Sequence, residues 1–374
     1  MDFFGSLEYL SGRYPMAQTI RLIAVGGGSG GHIYPGISVI RHMESSGMIT
    51  RQEVLWLCSF GDRDREILSA CDIPFTAIPS GKLRRYASLK NILDIPRIAA
   101  GFAASMGILR KNRPRCLFSK GGYVSVPAVA AARILGIPVV SHESDLDPGL
   151  ATRINQRFSS ILCVPFAESR AYYPKTVRIE VTGNPIGRER KSGIPDVGIN
   201  ENPYILVHGG SLGSASLNTL IWACLERIPE TWQVVHIVGT EEKRIPPDRA
   251  GYIPLAYAEG SFQELLDHCD IVVSRAGAGT LWEQAAAGKP MILLPLGRKG
   301  SRGEQERNAG YFCDHGAARV LFSGEAHHDA LIYAILELIA DGDVRSGLSA
   351  CARELVHERG AELIARCISS YIER

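Results

Sequence analysis

This 374-residue chain has little that would mark a metal centre, a disulfide framework or a membrane span. Its nine cysteines include no CxxC pair, which points to reduced, mostly buried thiols and away from zinc or disulfides. No Gly-Lys-Ser/Thr run offers a Walker loop. The net charge is +2, so the charge balance gives no argument for nucleic acid. The N-terminus carries Asp2 and Glu8 and lacks a basic stretch followed by an apolar run, so no secretory signal is expected. The longest nearly uncharged apolar stretch, Ile98 to Leu109, falls well short of the ~20 residues of a spanning helix. These absences leave a soluble, cytosolic protein that can still rest on a membrane surface.

What is present is a repeated pattern. Ile20–Val25 runs into Gly26-Gly-Gly-Ser-Gly-Gly-His32, and Tyr204–His208 runs into Gly209-Gly-Ser-Leu-Gly213. A third element, Ile271–Arg275, runs into Gly277-Ala-Gly-Thr280. Glycine removes side chains so that backbone amides and a helix N-terminus can approach an anion. Further apolar runs at Val54–Cys58, Cys116–Ser119, Val139–His142, Ile161–Val164, Val234–Val238 and Met291–Pro295 alternate with helical patterns such as Pro127–Leu135 and Leu281–Ala287. This alternation predicts an α/β protein of two doubly wound, Rossmann-like domains, with ligands held beyond the carboxyl ends of the strands. The Gly- and Pro-rich segment Gly183–Asn202 reads as the hinge, and 344–374 has helical spacing throughout.

The nicotinamide reading of the first glycine loop wants a carboxylate closing the second strand, and Val54–Cys58 ends in Cys58-Ser59-Phe60 instead. His32, closing that loop, is either a packing residue at a helix start or a base aimed at a ligand. Thr280 and Glu283 have capping-box spacing. Their functional alternative puts the Thr280 hydroxyl and nearby amides on a diphosphate and Glu283 on a ribose diol, with helix dipole and amides stabilising the leaving charge. No Asp-x-Asp follows this loop, so no metal is expected between the phosphates. Gln305, in Ser301-Arg-Gly-Glu-Gln305, is a candidate reader of sugar hydroxyls. Between Lys82 and Arg115 the basic residues Lys82, Arg84, Arg85, Lys90, Arg97, Arg110, Lys111, Arg113 and Arg115 face one acid, Asp94, among apolar Leu89, Ile92, Leu93, Ile95, Ile98, Phe102 and Ile108. That pattern suits either a solvated helix face, the usual reading of a charge run, or docking on an anionic bilayer.

In this order, the glycine loops resemble the MurG family of peptidoglycan glycosyltransferases with the GT-B fold. Ser119-Lys-Gly-Gly-Tyr-Val-Ser-Val-Pro127, His142-Glu-Ser-Asp145, Gly183-Asn-Pro185, Ser274–Thr280 with Glu283–Gly288, and Ser301–Gln305 complete the resemblance. It implies two domains facing across a cleft: an extension at 1–17, an acceptor and membrane-docking domain at 18–186, a donor domain at 187–350, and a C-terminal helix at 351–374 returning to the first domain. It implies inverting transfer of N-acetylglucosamine from UDP-N-acetylglucosamine to the muramyl 4-hydroxyl of lipid I, giving lipid II, on the cytoplasmic face of the cell membrane and without a cofactor. Cell-wall and division proteins are implied partners.

By the same resemblance, donor contacts fall on Ser29, Gly30, Gly31, Arg188, Ser211, Glu259, Phe262, Arg275, Ala278, Gly279, Thr280, Glu283 and Gln305. The acceptor diphosphate falls to Gly28, Gly30, Gly31, Gly121, Gly122 and Tyr123, and the base to His32 or Asp145. Three positions depart from the family pattern: Asp145 stands where some relatives have asparagine, Gly187 intervenes before Arg188, and Glu304 precedes Gln305. Another lipid glycosyltransferase, a UDP-sugar epimerase of the same fold and a non-enzymatic nucleotide-sugar-binding protein remain as alternatives.

Overall fold

The structure, a computed structural model, describes residues 19–81, 89–187, 198–210, 213–258, 261–297, 301–356 and 358–373. Two compact units divide the chain: one holds the described residues up to Ser144, Pro148–Pro185 and the segment from Arg359 on, and the other holds Asp145–Asp147 and Ile186–Glu358.

The first unit is a seven-stranded parallel sheet. In chain order its elements are β1 (Leu22–Val25), α1 (Tyr34–Ser45), β2 (Val54–Cys58), α2 (Asp62–Ala70), β3 (Phe75–Ala77), α3 (Leu89–Asn112), β4 (Cys116–Ser119), α4 (Ser125–Ile134), β5 (Val139–His142), α5 (Leu150–Asn155), β6 (Ile161–Val164) and β7 (Ile179–Val181). The strand order is β3-β2-β1-β4-β5-β6-β7. The inner strands β1, β2, β4, β5 and β6 are buried along their whole length, as continuous apolar runs covered on both faces must be.

The second unit repeats the plan with β8 (Tyr204–His208), α6 (Ala215–Cys224), β9 (Gln233–Ile237), β10 (Tyr252–Leu255), α7 (Phe262–His268), β11 (Ile271–Ser274), α8 (Ala278–Ala286), β12 (Met291–Leu293), α9 (Glu304–Asp314), β13 (Arg319–Val320), α10 (His328–Ala340) and α11 (Gly342–Leu355). Its strand order is β10-β9-β8-β11-β12-β13. Both orders reverse direction beside the first strand of their sheet, and ligands of doubly wound sheets gather at that switch point.

The expectation of one helical run over 344–374 is corrected here. The run breaks after Leu355 and resumes as α12 (Gly360–Ile372), which belongs to the first unit. There Ile364, Ala365, Ile368 and Ile372 join a core with α1 and the first sheet. Gly360 is tight against the Asn184 carbonyl, leaving no room for a side chain. Among the described residues, no helix is long and apolar enough to cross a membrane.

Candidate functional site

In the first unit, two glycine loops at neighbouring strand ends interlock. After β1 the chain passes Gly26–Ser29 and makes a single 3-10 turn over Gly30–His32. The Trp56 indole N–H holds this loop through the Gly26 carbonyl at 2.9 Å. After β4, Gly121 and Gly122 take positive φ, +89° and +76°. A Cβ on Gly122 would lie 2.6 Å from the Gly27 carbonyl oxygen and 3.2 Å from His32 Cδ2. One on Gly121 would lie 3.8 Å from His32 Nδ1. The His32 ring therefore lies along the second loop, and at Gly122 a side chain would run into the first loop's backbone. Gly28 packs against the Tyr123 ring, which a Cβ would meet at 2.6 Å. Ser29 and Gly31 are exposed, and Gly30 is buried against Tyr34.

Two charged residues that the sequence reading passed over bear on these loops. Lys120 is 2% exposed and donates from Nζ to Ser144 Oγ at 2.6 Å. Asp64, in the first turn of α2 and 3% exposed, accepts hydrogen bonds from the Gly28 amide. The carboxylate sought at the end of β2 thus arrives from the following helix, and it binds the loop itself. The His142-Glu-Ser motif is structural in its surroundings: His142 Nε2–H donates to the Gly183 carbonyl at 3.1 Å. Glu143 accepts from the Gly149 amide at 3.0 Å and the Thr152 hydroxyl at 2.5 Å, tying down the start of α5. Burial, with the nearby Lys120 charge, holds the His142 ring well below the usual imidazole range, so it is neutral.

In the second unit, α8 begins at Ala278 with Gly277 as N-cap and no side-chain cap. Thr280 is therefore inside the first turn, and the capping box its spacing suggested is not formed. A Cβ on Gly277 or Gly279 would meet nothing within 4 Å. Arg275, 8% exposed, directly follows β11 and precedes this turn in the chain. Its guanidinium donates to Ser214 Oγ, to Ser216 Oγ at 2.5 Å and to the Leu294 carbonyl at 2.8 Å. Burial pulls its pKa down, the cost of a cation held by neutral groups alone.

Glu283, one turn on and half-buried, has its carboxyl pushed up to about 7 by burial. Gln284 beside it donates to His208 Nε2 at 2.7 Å and to Ser274 Oγ at 2.9 Å, joining the ends of β8 and β11. Phe262 opens α7 with its ring edge-on to His208, centroids 5.1 Å apart. Gln305 accepts the Leu296 amide at 3.0 Å, which fixes its side chain beyond the end of β12. Asp145 accepts from Asn308 Nδ2 at 3.0 Å and pairs with Arg302 at 3.3 Å. Its carboxylate is thereby engaged by α9 and the residues before it. Arg188, Ser211 and Glu259 lie outside the described residues, as do Lys82, Arg84, Arg85 and the Lys90 side chain.

Two Rossmann-like units, one with interlocked glycine loops and one with a helix N-terminus that no side chain caps, are the plan of the GT-B class of proteins. The sequence profile of the glycosyltransferase family 28 N-terminal domain matches residues 22–161, and that of the family 28 C-terminal domain matches residues 204–364. The chain belongs to glycosyltransferase family 28, in its MurG branch. A relative from Treponema denticola, named UDP-N-acetylglucosamine–N-acetylmuramyl-(pentapeptide) pyrophosphoryl-undecaprenol N-acetylglucosamine transferase, is 38% identical over 94% of this chain and 97% of its own. One of the same name from Legionella pneumophila strain Paris is 37% identical over 86% of this chain and 90% of its own. The crystal structure of Acinetobacter baumannii MurG shares the fold with a TM-score of 0.71 at 21% identity, covering 93% of this chain and 99% of that one.

Proposed function

We propose that this chain transfers N-acetylglucosamine from UDP-N-acetylglucosamine to the 4-hydroxyl of the muramyl sugar of undecaprenyl-diphosphate-linked muramyl pentapeptide, lipid I, with inversion, to form lipid II. The observation that carries the reading is the empty space at Gly277 and Gly279. Neither residue has a positive φ, and neither would meet another atom of the described residues within 4 Å if it bore a methyl group. Gly279 lies in the first turn of α8, where glycine costs roughly 0.5–1 kcal/mol relative to alanine, so its presence there makes sense for a ligand that reaches the backbone. Gly277 is the N-cap, a position that glycine favours in any case. The names of the 37–38% identical relatives give that ligand's chemistry.

The donor diphosphate sits on the amides of Ala278, Gly279 and Thr280, with Arg275 beneath and Ser211 beside it. Glu283 accepts the ribose hydroxyls, Gln305 reads the sugar, and the uracil meets the chain near Glu259 and Phe262. Arg188 is a further phosphate or sugar contact. The acceptor diphosphate falls to the loops of Gly30, Gly31, Gly121, Gly122 and Tyr123, with Ser29 at their rim. His32 takes the proton from the acceptor hydroxyl as its oxygen bonds to the anomeric carbon. The bond from that carbon to the UDP oxygen breaks on the opposite face, and helix dipole, amides and Arg275 meet the charge of departing UDP. Asp145, tied to Arg302 and Asn308, serves the α9 region and is a second choice for base.

The docking face is narrower than the full run of basic residues. Helices begin at the carboxyl ends of the strands, so Ile95, Pro96 and Arg97, all exposed, lie at the ligand end of α3. Arg110 and Lys111 come about 20 Å further along the helix. We assign contact with the anionic cytoplasmic leaflet to the first group. The reading is tested with radiolabelled UDP-N-acetylglucosamine and a short-chain lipid I analogue: labelled lipid II analogue supports it. Label moved only to diacylglycerol, or UDP release with sugar epimerisation and no lipid product, refutes it.

A further inference from the structure

Asp64 is a buried carboxylate with no guanidinium or ammonium paired to it among the described residues. Both of its oxygens accept the Gly28 amide, at 3.0 and 2.9 Å. Oδ2 also accepts the Ser59 amide at 3.3 Å and the Ser59 hydroxyl at 2.5 Å. A side chain on Gly27 would run into that same oxygen. The Gly28 amide of the first glycine loop is thus already bonded to a carboxylate, and that carboxylate is the protein's own. No described carboxylate stands against the amides of Gly277 and Gly279, whose surroundings are open.

We propose that Asp64 is a built-in anion for the first glycine loop: a positioning residue that ties the Gly28 amide to Ser59, fixes the loop for the acceptor, and denies the Gly28 amide to any phosphate. This rests on the reading of the first unit as the acceptor unit. Charge-assisted bonds to backbone amides are roughly twice as strong as neutral ones, so one carboxylate can hold Gly28 at φ +86° against Tyr123. The same geometry keeps the Gly27 carbonyl and the His32 ring seated on Gly122. The acceptor diphosphate is left the amides of Gly30, Gly31, Gly121 and Gly122. Gly28 is glycine for Tyr123 and Asp64, and its amide contacts no ligand.

The test uses Asp64→Ala and Asp64→Asn with formate as the replacement anion. For Asp64→Ala the KM for a short-chain lipid I analogue rises about tenfold or more, while the KM for UDP-N-acetylglucosamine stays within about twofold. Formate lowers the acceptor KM of this variant again and raises its Tm, and does neither for the wild-type protein. Asp64→Asn keeps the shape and loses the charge, so its acceptor KM rises alone and formate leaves it unmoved. An unchanged acceptor KM in either variant, both KM values rising together, or no effect of formate on the Tm of Asp64→Ala overturns the proposal. Should Asp64→Ala fail to fold, the KM split in Asp64→Asn decides. Failure of the transferase reading would show separately, as wild-type protein that makes no lipid product, and the formate shift in Tm would still be readable.

Discussion

Arg275 donates to the Ser214 hydroxyl through both Nε and Nη2, at 3.1 and 3.0 Å. The pair ties the end of β11 to the start of α6, because Ser214 is also the N-cap of that helix and accepts the Leu217 amide. Two loops of the second unit are thus held by one guanidinium. Arg275→Lys keeps the charge and loses the fork. It raises the KM for UDP-N-acetylglucosamine about tenfold and leaves the acceptor KM unchanged. Ser214→Ala lowers stability by about 1 kcal/mol through the lost cap and moves the donor KM in the same direction. Steady-state kinetics with each substrate varied, together with thermal melts, check both.

Gly279→Ala separates ligand space from fold. Nothing lies within 4 Å of the added methyl group, and alanine favours the helix. The variant folds with stability equal to wild type or higher by about 0.5–1 kcal/mol. With the donor diphosphate on this turn as proposed, the methyl would take the place of a phosphate oxygen, and donor affinity falls by tenfold or more, on the order of 1.4 kcal/mol. Calorimetric titration with UDP beside a thermal melt reads both quantities.

Glu283 makes donor binding depend on pH. Burial pushes its carboxyl up to about 7, and in the proposed donor site it is the ionised form that would receive the ribose diol. The donor KM therefore climbs as the pH falls below about 7, and Glu283→Gln abolishes that slope while raising the KM throughout. Stability moves the other way. The folded pKa lies above the ordinary carboxyl value, so the folded state holds the proton more tightly and the group destabilises the fold as pH rises through that window. Glu283→Gln is level with wild type near about pH 4 and more stable near about pH 8. Melts and donor titrations across that range check the signs.

His32→Gln tests the base. If the ring takes the acceptor proton, kcat falls by roughly 10²–10⁴ with the donor KM unchanged. Near-full kcat assigns the ring to packing along Gly121 and Gly122 alone.

The inner strands were legible because a buried parallel strand is a continuous apolar run: Val54–Cys58, Cys116–Ser119, Val139–His142, Ile161–Val164, Tyr204–His208 and Ile271–Ser274 lie where the pattern puts them. The outer strands β3, β7, β10 and β13 were not, being short and partly exposed, without such a run. Gly277 caps α8 where Thr280 had the better cap chemistry, since the loop geometry and not propensity sets that boundary. Asp64 is not legible from the dinucleotide pattern, because that pattern puts its carboxylate at the end of the second strand and Asp64 lies in the helix that follows. A signal existed: Asp64 shares the i, i+3, i+4 face of α2 with the buried Ile67 and Leu68, and an acid on an apolar face needs a partner inside. The second serine clamp on Arg275 depends on a contact across about sixty residues, which spacing alone does not reveal.

The most direct measurement is a crystal structure with UDP-N-acetylglucosamine bound. The account predicts the diphosphate on the first-turn amides of α8, within hydrogen-bond reach of Gly279 and Thr280, with the ribose on Glu283. A diphosphate seated in the loop of Gly26–His32, or held away from α8, would contradict it.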